Sequence, residues 1–312
     1  MCSSPTTGPV DLLLEAIKAH PEILGFQTAW ELTRLGVRLD CSMDDATMAL
    51  RIAQERSRTG RIISGRVVYH TGCIGDLIAA LPIIRHLGGA SLKIGNFQVK
   101  EWQHRNMEGA SYRAIEPLLK LQPYLDSVSF EDGAAHTHDL DNWRTHHRLN
   151  RTLTASQAAH LKITEPISMD PWLSGVTPSK ESSGKLVVAR SQRYHNNSFP
   201  WKMICRNHGP DMLFIGTEAE HSEFTAATNY YVPHWKTKDL LEAAELILGS
   251  AMFIGNQSSP CWVAMGLGHR LVQETHPSIH DSIVERENAI FHYSMRPRNQ
   301  MRVMQLIGES LR

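Results

Sequence analysis

The rhythm of hydrophobic positions changes once near residue 65 and again near residue 185. Over residues 11–60, Leu12, Leu13, Ala16 and Ile17, then Ala29, Leu32 and Leu35, then Met48, Leu50, Ile52 and Ala53 recur at near-helical spacing, with Pro21 and Gly36 as breaks. This predicts a small helical appendage over residues 1–64. From Arg66 the pattern becomes strand, turn, helix: the run RVVYH (66–70), the glycine-bearing loop TGCIGD, and the apolar helix LIAALPIIRHL. Strands are expected at 92–96 and 126–130, with a helix over 116–125 between them. The polar, histidine-rich stretch 132–161 carries no period that assigns it.

The segment SGVTPSKESSG (174–184) has linker composition. Beyond it strands and helices alternate regularly. Strands are expected at 185–190, 211–216, 229–233, 251–255, 269–274 and 289–293, and helices near 200–207, 218–227, 238–249 and 259–267. Such alternation builds right-handed βαβ units on a parallel sheet. The expected architecture is therefore α/β, with two doubly wound Rossmann-like domains at 65–180 and 181–312 behind the appendage.

Length and composition fit that reading. A chain of 312 residues, 42% hydrophobic, suits two domains with separate cores. Thirty-two basic residues balance thirty-two acidic ones, so no global field draws in nucleic acid, although a local basic groove is compatible with zero net charge. Cys2, Cys41, Cys73, Cys205 and Cys261 are odd in number and scattered, without a CxxC pair, which points to a reducing compartment. The sequence shows no apolar run of membrane-spanning length and no signal-peptide pattern at its start, so a cytoplasmic protein is expected.

Three stretches could carry chemistry. In His70-Thr-Gly-Cys-Ile-Gly-Asp76, Gly72 and Gly75 allow a tight turn after a strand, and the following helix offers unpaired N–H groups to an anion. Asp76 falls where open α/β sheets bind ligands, and it would serve equally well as a helix cap. In the loop from Arg190 to Lys202, Arg190, Ser191, Arg193 and Lys202 offer guanidinium, hydroxyl and ammonium donors suited to a diphosphate, or simply form a solvated polar loop. Asn256, Gln257, Ser258 and Ser259 form a polar turn between a buried strand and a helix start, where a phosphate could bind.

The string Gly75-Asp-Leu-Ile-Ala-Ala-Leu-Pro82 resembles the opening of the heptosyltransferase group, glycosyltransferase family nine. The resemblance spans about residues 65–275 and leaves residues 1–64 unexplained. It implies a GT-B fold and inverting transfer of a sugar from a nucleotide-sugar donor to a glycan or other hydroxyl-bearing acceptor. Asp76 would be the general base, the 190–202 loop and residues 256–259 would hold the diphosphate, and Glu220, chosen over Glu218, would meet the donor ribose or simply favour the dipole of its helix start. The chain departs from the family pattern at Gln257, Ser259 and Trp262, where aspartate, glycine and histidine are expected. These departures keep one rival in play, a non-catalytic nucleotide- or sugar-binding protein on the same scaffold; a second alternative, a transferase acting on a modified DNA base, is less favoured by the zero net charge.

No metal or other cofactor is expected. Asp139-Leu-Asp141 has the DxD form of metal-dependent sugar transferases, but this tripeptide is common. His136, His138, His146, His147 and His160 lack a regular ligand spacing.

Overall fold

The computed structural model describes residues 65–96, 107, 109–140, 143–148, 151–292 and 297–311. The appendage expected at 1–64 and Asp141 lie outside the described residues. Two parallel sheets organise the rest. The first contains β1 (Val67–Thr71), β2 (Ala90–Gly95), β3 (Leu125–Phe130) and β4 (His138–Asp139), in the order β3-β2-β1-β4. The second contains β5 (Leu186–Ala189), β6 (Met212–Ile215), β7 (His234–Trp235), β8 (Met252–Asn256), β9 (Leu271–Glu274) and β10 (Ala289–His292), in the order β10-β9-β8-β5-β6-β7. Every pairing is parallel; Val187 of β5, for example, lies between Leu213 of β6 and Phe253 of β8.

Both sheets reverse their winding once. The first grows from β1 through β2 to β3 and then places β4 on the other side of β1. The second grows from β5 through β6 to β7 and then places β8 on the other side of β5. Loops leaving the strand ends at such a reversal diverge and open a crevice beyond the carboxyl edge.

The helices are α1 (Ile74–His86), α2 (Gly109–Lys120), α3 (Leu153–His160), α4 (Trp201–His208), α5 (Glu218–Thr228), α6 (Leu240–Gly249), α7 (Ser259–Gly266) and α8 (Pro297–Ser310). Strand alternation assigns the core of the second sheet. Leu186, Val188, Met212, Phe214, Met252, Ile254 and Val272 face one apolar cluster with Trp201 of α4 and Val303 and Ile307 of α8. Their neighbours Val187, Ala189, Leu213, Ile215, Phe253 and Leu271 face the opposite cluster. That second cluster runs on into the first sheet's core, because α1 packs against α3 and α7 while α2 packs against α6. Helix α1 is buried continuously from Asp76 to Ile84, which explains why its sequence shows no polar stripe.

Two expectations are corrected here, and one unassigned stretch takes shape. The strand expected at 229–233 lies at His234–Trp235. Asn229 closes α5 in the left-handed conformation, and Pro233 has no N–H to give the ladder, so only its carbonyl joins by accepting Phe214 N–H. The helix expected at 116–125 spans Gly109–Lys120, and the buried Gln122 side chain then donates back to the Leu118 carbonyl. The stretch 132–161 resolves into β4, a 3₁₀ turn at Trp143–His146 and α3, whose N-cap Thr152 accepts Ala155 N–H.

The linker-like segment is pinned to the protein rather than loose. Ser174 is held by both ends of the Gln122 amide, and Ser179 N–H bonds to the Glu245 carbonyl on α6. A Cβ at Gly249 would lie 2.0 Å from the Ser179 carbonyl oxygen, so that glycine is what lets the segment lie flat on α6. Just before it, Arg85 of α1 donates to the carbonyls of Ser168, Asp170 and Pro171.

Candidate active site

A cavity of about 320 Å³ opens where the carboxyl edges of the two sheets face each other, within the usual range for small-molecule sites. The first half contributes Cys73, Gly75, Asp76, Arg144 and His147. The second contributes Arg193, Tyr194, Gln257, Ser258, Ser259, Trp262 and Asp281. The loops after β1, β5 and β8, with the starts of α1 and α7, supply most of this lining, as the two winding reversals require.

Gly72 has φ +111°, a conformation that L side chains rarely adopt, and it turns the chain off β1 into α1. Gly75 faces Trp262 across the junction of α1 and α7, where a Cβ would touch the indole at 3.4 Å. Asp76, in the first turn of α1, does not cap its helix. One carboxylate oxygen accepts Arg144, from the 3₁₀ turn, in an ion pair whose side chains are 11% and 7% exposed. The Arg144 guanidinium also lies 4.5 Å above the Trp143 ring. The Asp76 backbone carbonyl accepts the Gln157 amide at 2.8 Å, which ties this turn to α3. The carboxylate that faces the cavity is thus fixed in place by its surroundings.

A second polar pair crosses the cavity. His147 Nε2 lies 3.1 Å from Asp281 Oδ2, joining the two halves. Burial pushes the Asp281 carboxyl above the usual range, the His147 imidazole pulls it down, and the nearby Asp76 carboxylate pushes it up. Nothing in the sequence pattern marks Arg144 or Asp281, and His147 stands out there only as one of five histidines without a regular ligand spacing. Arg144 and His147 sit in the unassigned polar stretch, and their partners are remote in sequence.

The phosphate candidates separate into two groups. Arg193, Ser258 and Ser259 line the cavity, and no side chain caps α7. The Ser258 hydroxyl donates to the Asn256 carbonyl and Pro260 has no N–H, which leaves the Ser259 hydroxyl and the N–H groups of Ser259 and Cys261 for an anion. The others have their polar atoms committed inside the protein or lie elsewhere. Arg190 is bonded to the fully buried Glu274 through Nε at 2.8 Å and Nη2 at 3.0 Å. Asn256 accepts Ser191 N–H and donates to the Ser191 and Arg193 carbonyls, so it shapes the 190–197 loop. Gln257 donates to the Ile279 carbonyl and the Ser282 hydroxyl and accepts His276 N–H, so it shapes the 276–282 loop. Lys202 lines a different depression, with Asn196 to Met203, Ala227 and Thr228. Glu220 closes a capping box with Thr217 at the start of α5.

Beneath the site, His70 is fully buried. Burial above all, and then the Arg144 charge, lower its pKa to about 3. At the rear of the second sheet, burial lowers His269 to about 4. Both are neutral in the folded protein, whereas in the unfolded chain they titrate near 6.5. Between about pH 6.5 and 4 the unfolded state therefore binds more protons, and stability falls as pH falls. The slope from these groups is up to about 1.4 kcal/mol per pH unit for each histidine. Urea denaturation at steps from pH 7 to 4.5 should show this loss; a flat profile would contradict the buried, neutral assignment.

No protein-family model and no curated protein matches the chain. Solved structures do match. The glycosyl transferase family 9 structure from Veillonella parvula DSM 2008 superposes with a TM-score of 0.50 at 12% identity, covering 80% of this chain and 96% of that one. The fold is GT-B-like. Two further structures with similar coverage superpose less well. The Escherichia coli ADP-heptose lipopolysaccharide heptosyltransferase II gives a TM-score of 0.45 at 13% identity, covering 80% of this chain and 98% of that one. The Escherichia coli heptosyltransferase WaaC with ADP-2-deoxy-2-fluoro heptose gives 0.46 at 10% identity, covering 78% and 98%. At these identities the likeness is one of fold, and the functional reading has to come from the cavity. Among the described residues, no helix is long and apolar enough to cross a membrane.

Proposed function

We propose that this chain is an inverting glycosyltransferase that moves a sugar from a nucleotide-sugar donor to an acceptor hydroxyl. One observation carries the reading: a fixed carboxylate from one sheet and an anion-binding corner from the other line the same cavity. In the proposed reaction the acceptor hydroxyl lies against the Asp76 oxygen that Arg144 leaves open. The acceptor oxygen bonds to the anomeric carbon as the bond from that carbon to the diphosphate breaks. The hydroxyl proton passes to Asp76, and the nucleoside diphosphate leaves with the bonding electrons. Arg193, the Ser259 hydroxyl and the N–H groups at the start of α7 take up the charge that develops on the leaving diphosphate. Arg190, Ser191, Asn256 and Gln257 act one step back, as the frame of the two loops. No metal is assigned to the chemical step, and a cytoplasmic location fits the thiols and composition.

Arg193 is exposed, so its replacement should not disturb folding. Arg193→Ala should weaken nucleoside-diphosphate binding by about 1.5–3 kcal/mol, the size of one charge-assisted hydrogen bond. Calorimetric titration checks this, and equal affinity in the two proteins would move the phosphate site elsewhere.

The committed Gln257 amide and the indole of Trp262, where the family pattern has a histidine, favour one second reading, a nucleotide- or sugar-binding protein without turnover. A thermal-shift screen against nucleoside diphosphates and nucleotide sugars, followed by donor-hydrolysis and transfer assays on the hits, separates the two.

A further inference from the structure

A cluster on the second sheet plays no part in that reaction. Glu218 and His221 stand one turn apart on α5, and His234 opens β7, the strand beside β6. One ligand-capable atom from each lies within 4.8 Å of the others. None of the three lines the cavity around Asp76.

The tautomers are fixed by the backbone. His221 Nε2 lies 2.8 Å from the Val232 carbonyl and His234 Nε2 lies 2.9 Å from the Gly216 carbonyl. A carbonyl only accepts, so both Nε2 atoms carry the proton and both Nδ1 atoms present a lone pair. A ring N–H bonded to a backbone carbonyl is the usual support of a metal-binding histidine. Glu218 Oε2 lies 3.6 Å from His234 Nδ1, which brings a carboxylate to the same edge. We propose that Glu218, His221 and His234 form a binding site for one divalent transition-metal ion of the zinc type, with two imidazole nitrogens, one carboxylate and a fourth position for water.

The two rings stack with centroids 4.5 Å apart and planes 14° apart, so their lone pairs lie in near-parallel planes and do not meet at one ion. Binding therefore requires at least one ring to turn about its Cβ–Cγ bond. Nε2 lies closer to that axis than Nδ1, so a turn swings Nδ1 toward the ion while disturbing the carbonyl bond less. His234, at the start of a strand and only partly buried, is the ring assigned this turn, since His221 is buried. An ion held there would tie the start of α5 to β7. Its effect falls on the stability of the second sheet's edge, apart from the chemical step.

The test uses the tag-free full chain, stripped with chelator and titrated with Zn²⁺ and, for its spectrum, Co²⁺. One ion should bind per chain, Co²⁺ should give the strong visible absorption of a four-coordinate complex, and Zn²⁺ should raise the unfolding temperature. The Glu218 side chain is 76% exposed, so Glu218→Gln should fold normally. It should weaken Zn²⁺ binding by about 10–100-fold, a loss that even supporting residues produce at metal sites. His234→Gln should do the same. Equal Zn²⁺ affinity in wild type, Glu218→Gln and His234→Gln would overturn the proposal. So would binding that vanishes instead with His146→Gln, whose imidazole Nδ1 lies 3.3 Å from that of His160.

Discussion

Asp76→Asn is expected to lower sugar transfer by about 10²–10⁴-fold while leaving nucleoside-diphosphate affinity close to that of the wild type. The factor is the usual contribution of a positioned general base. The separation follows from the cavity, where Asp76 comes from the first sheet's edge and the groups proposed to hold the diphosphate come from the second's. The asparagine keeps one oxygen for Arg144, so the guanidinium retains an acceptor but loses its charge partner, and some stability should go with it. Nucleotide titration on the same preparation shows whether the variant is folded. Full transfer activity in a folded Asp76→Asn protein would remove the base assignment. Equal loss of nucleotide binding would instead mean that Asp76 helps to shape the donor site.

Glu274→Ala should destabilise the protein by about 3–5 kcal/mol, the cost of leaving a buried charge unpartnered. Glu274 is fully buried, and its two oxygens accept four bonds: two from Arg190, one from Asn196 N–H at 2.7 Å and one from Trp201 Nε1 at 2.8 Å. It joins β9, the end of β5 and the start of α4. Urea denaturation measures the loss, and a change below about 1 kcal/mol would contradict the account. The same experiment separates two roles for Arg190. As a frame residue, Arg190→Ala should cost stability in step with any loss of nucleotide affinity. As a direct diphosphate ligand, it would cost affinity in a protein of undiminished stability.

The order of elements was legible because it depends on short-range pattern. β-Branched runs such as Leu186–Ala189 can bury both faces, and the glycine turn after β1 needs a residue that accepts φ +111°. The position of Asp76 followed too, since a residue just beyond the first strand of a parallel sheet comes to the carboxyl edge whatever the rest of the fold does. The corner proposed for the donor was legible only in part. Nine polar residues looked alike as candidate ligands, yet Arg190, Ser191, Asn256, Gln257 and Glu220 bond within the protein, Ser258 lines the cavity with its hydroxyl donated to Asn256, and Arg193 and Ser259 face the cavity.

The sequence by itself determined the alternation of strands and helices, the parallel pairing it forces, and the loop that carries Asp76. Each rests on backbone geometry and on neighbours a few residues apart. The tertiary structure alone decided which polar side chains are spent and which are available. Arg144 reaches Asp76 across 68 positions, Arg190 reaches Glu274 across 84, and His147 reaches Asp281 across 134. A buried polar group must find a partner wherever packing brings one, and local sequence carries no record of a partner that far along the chain.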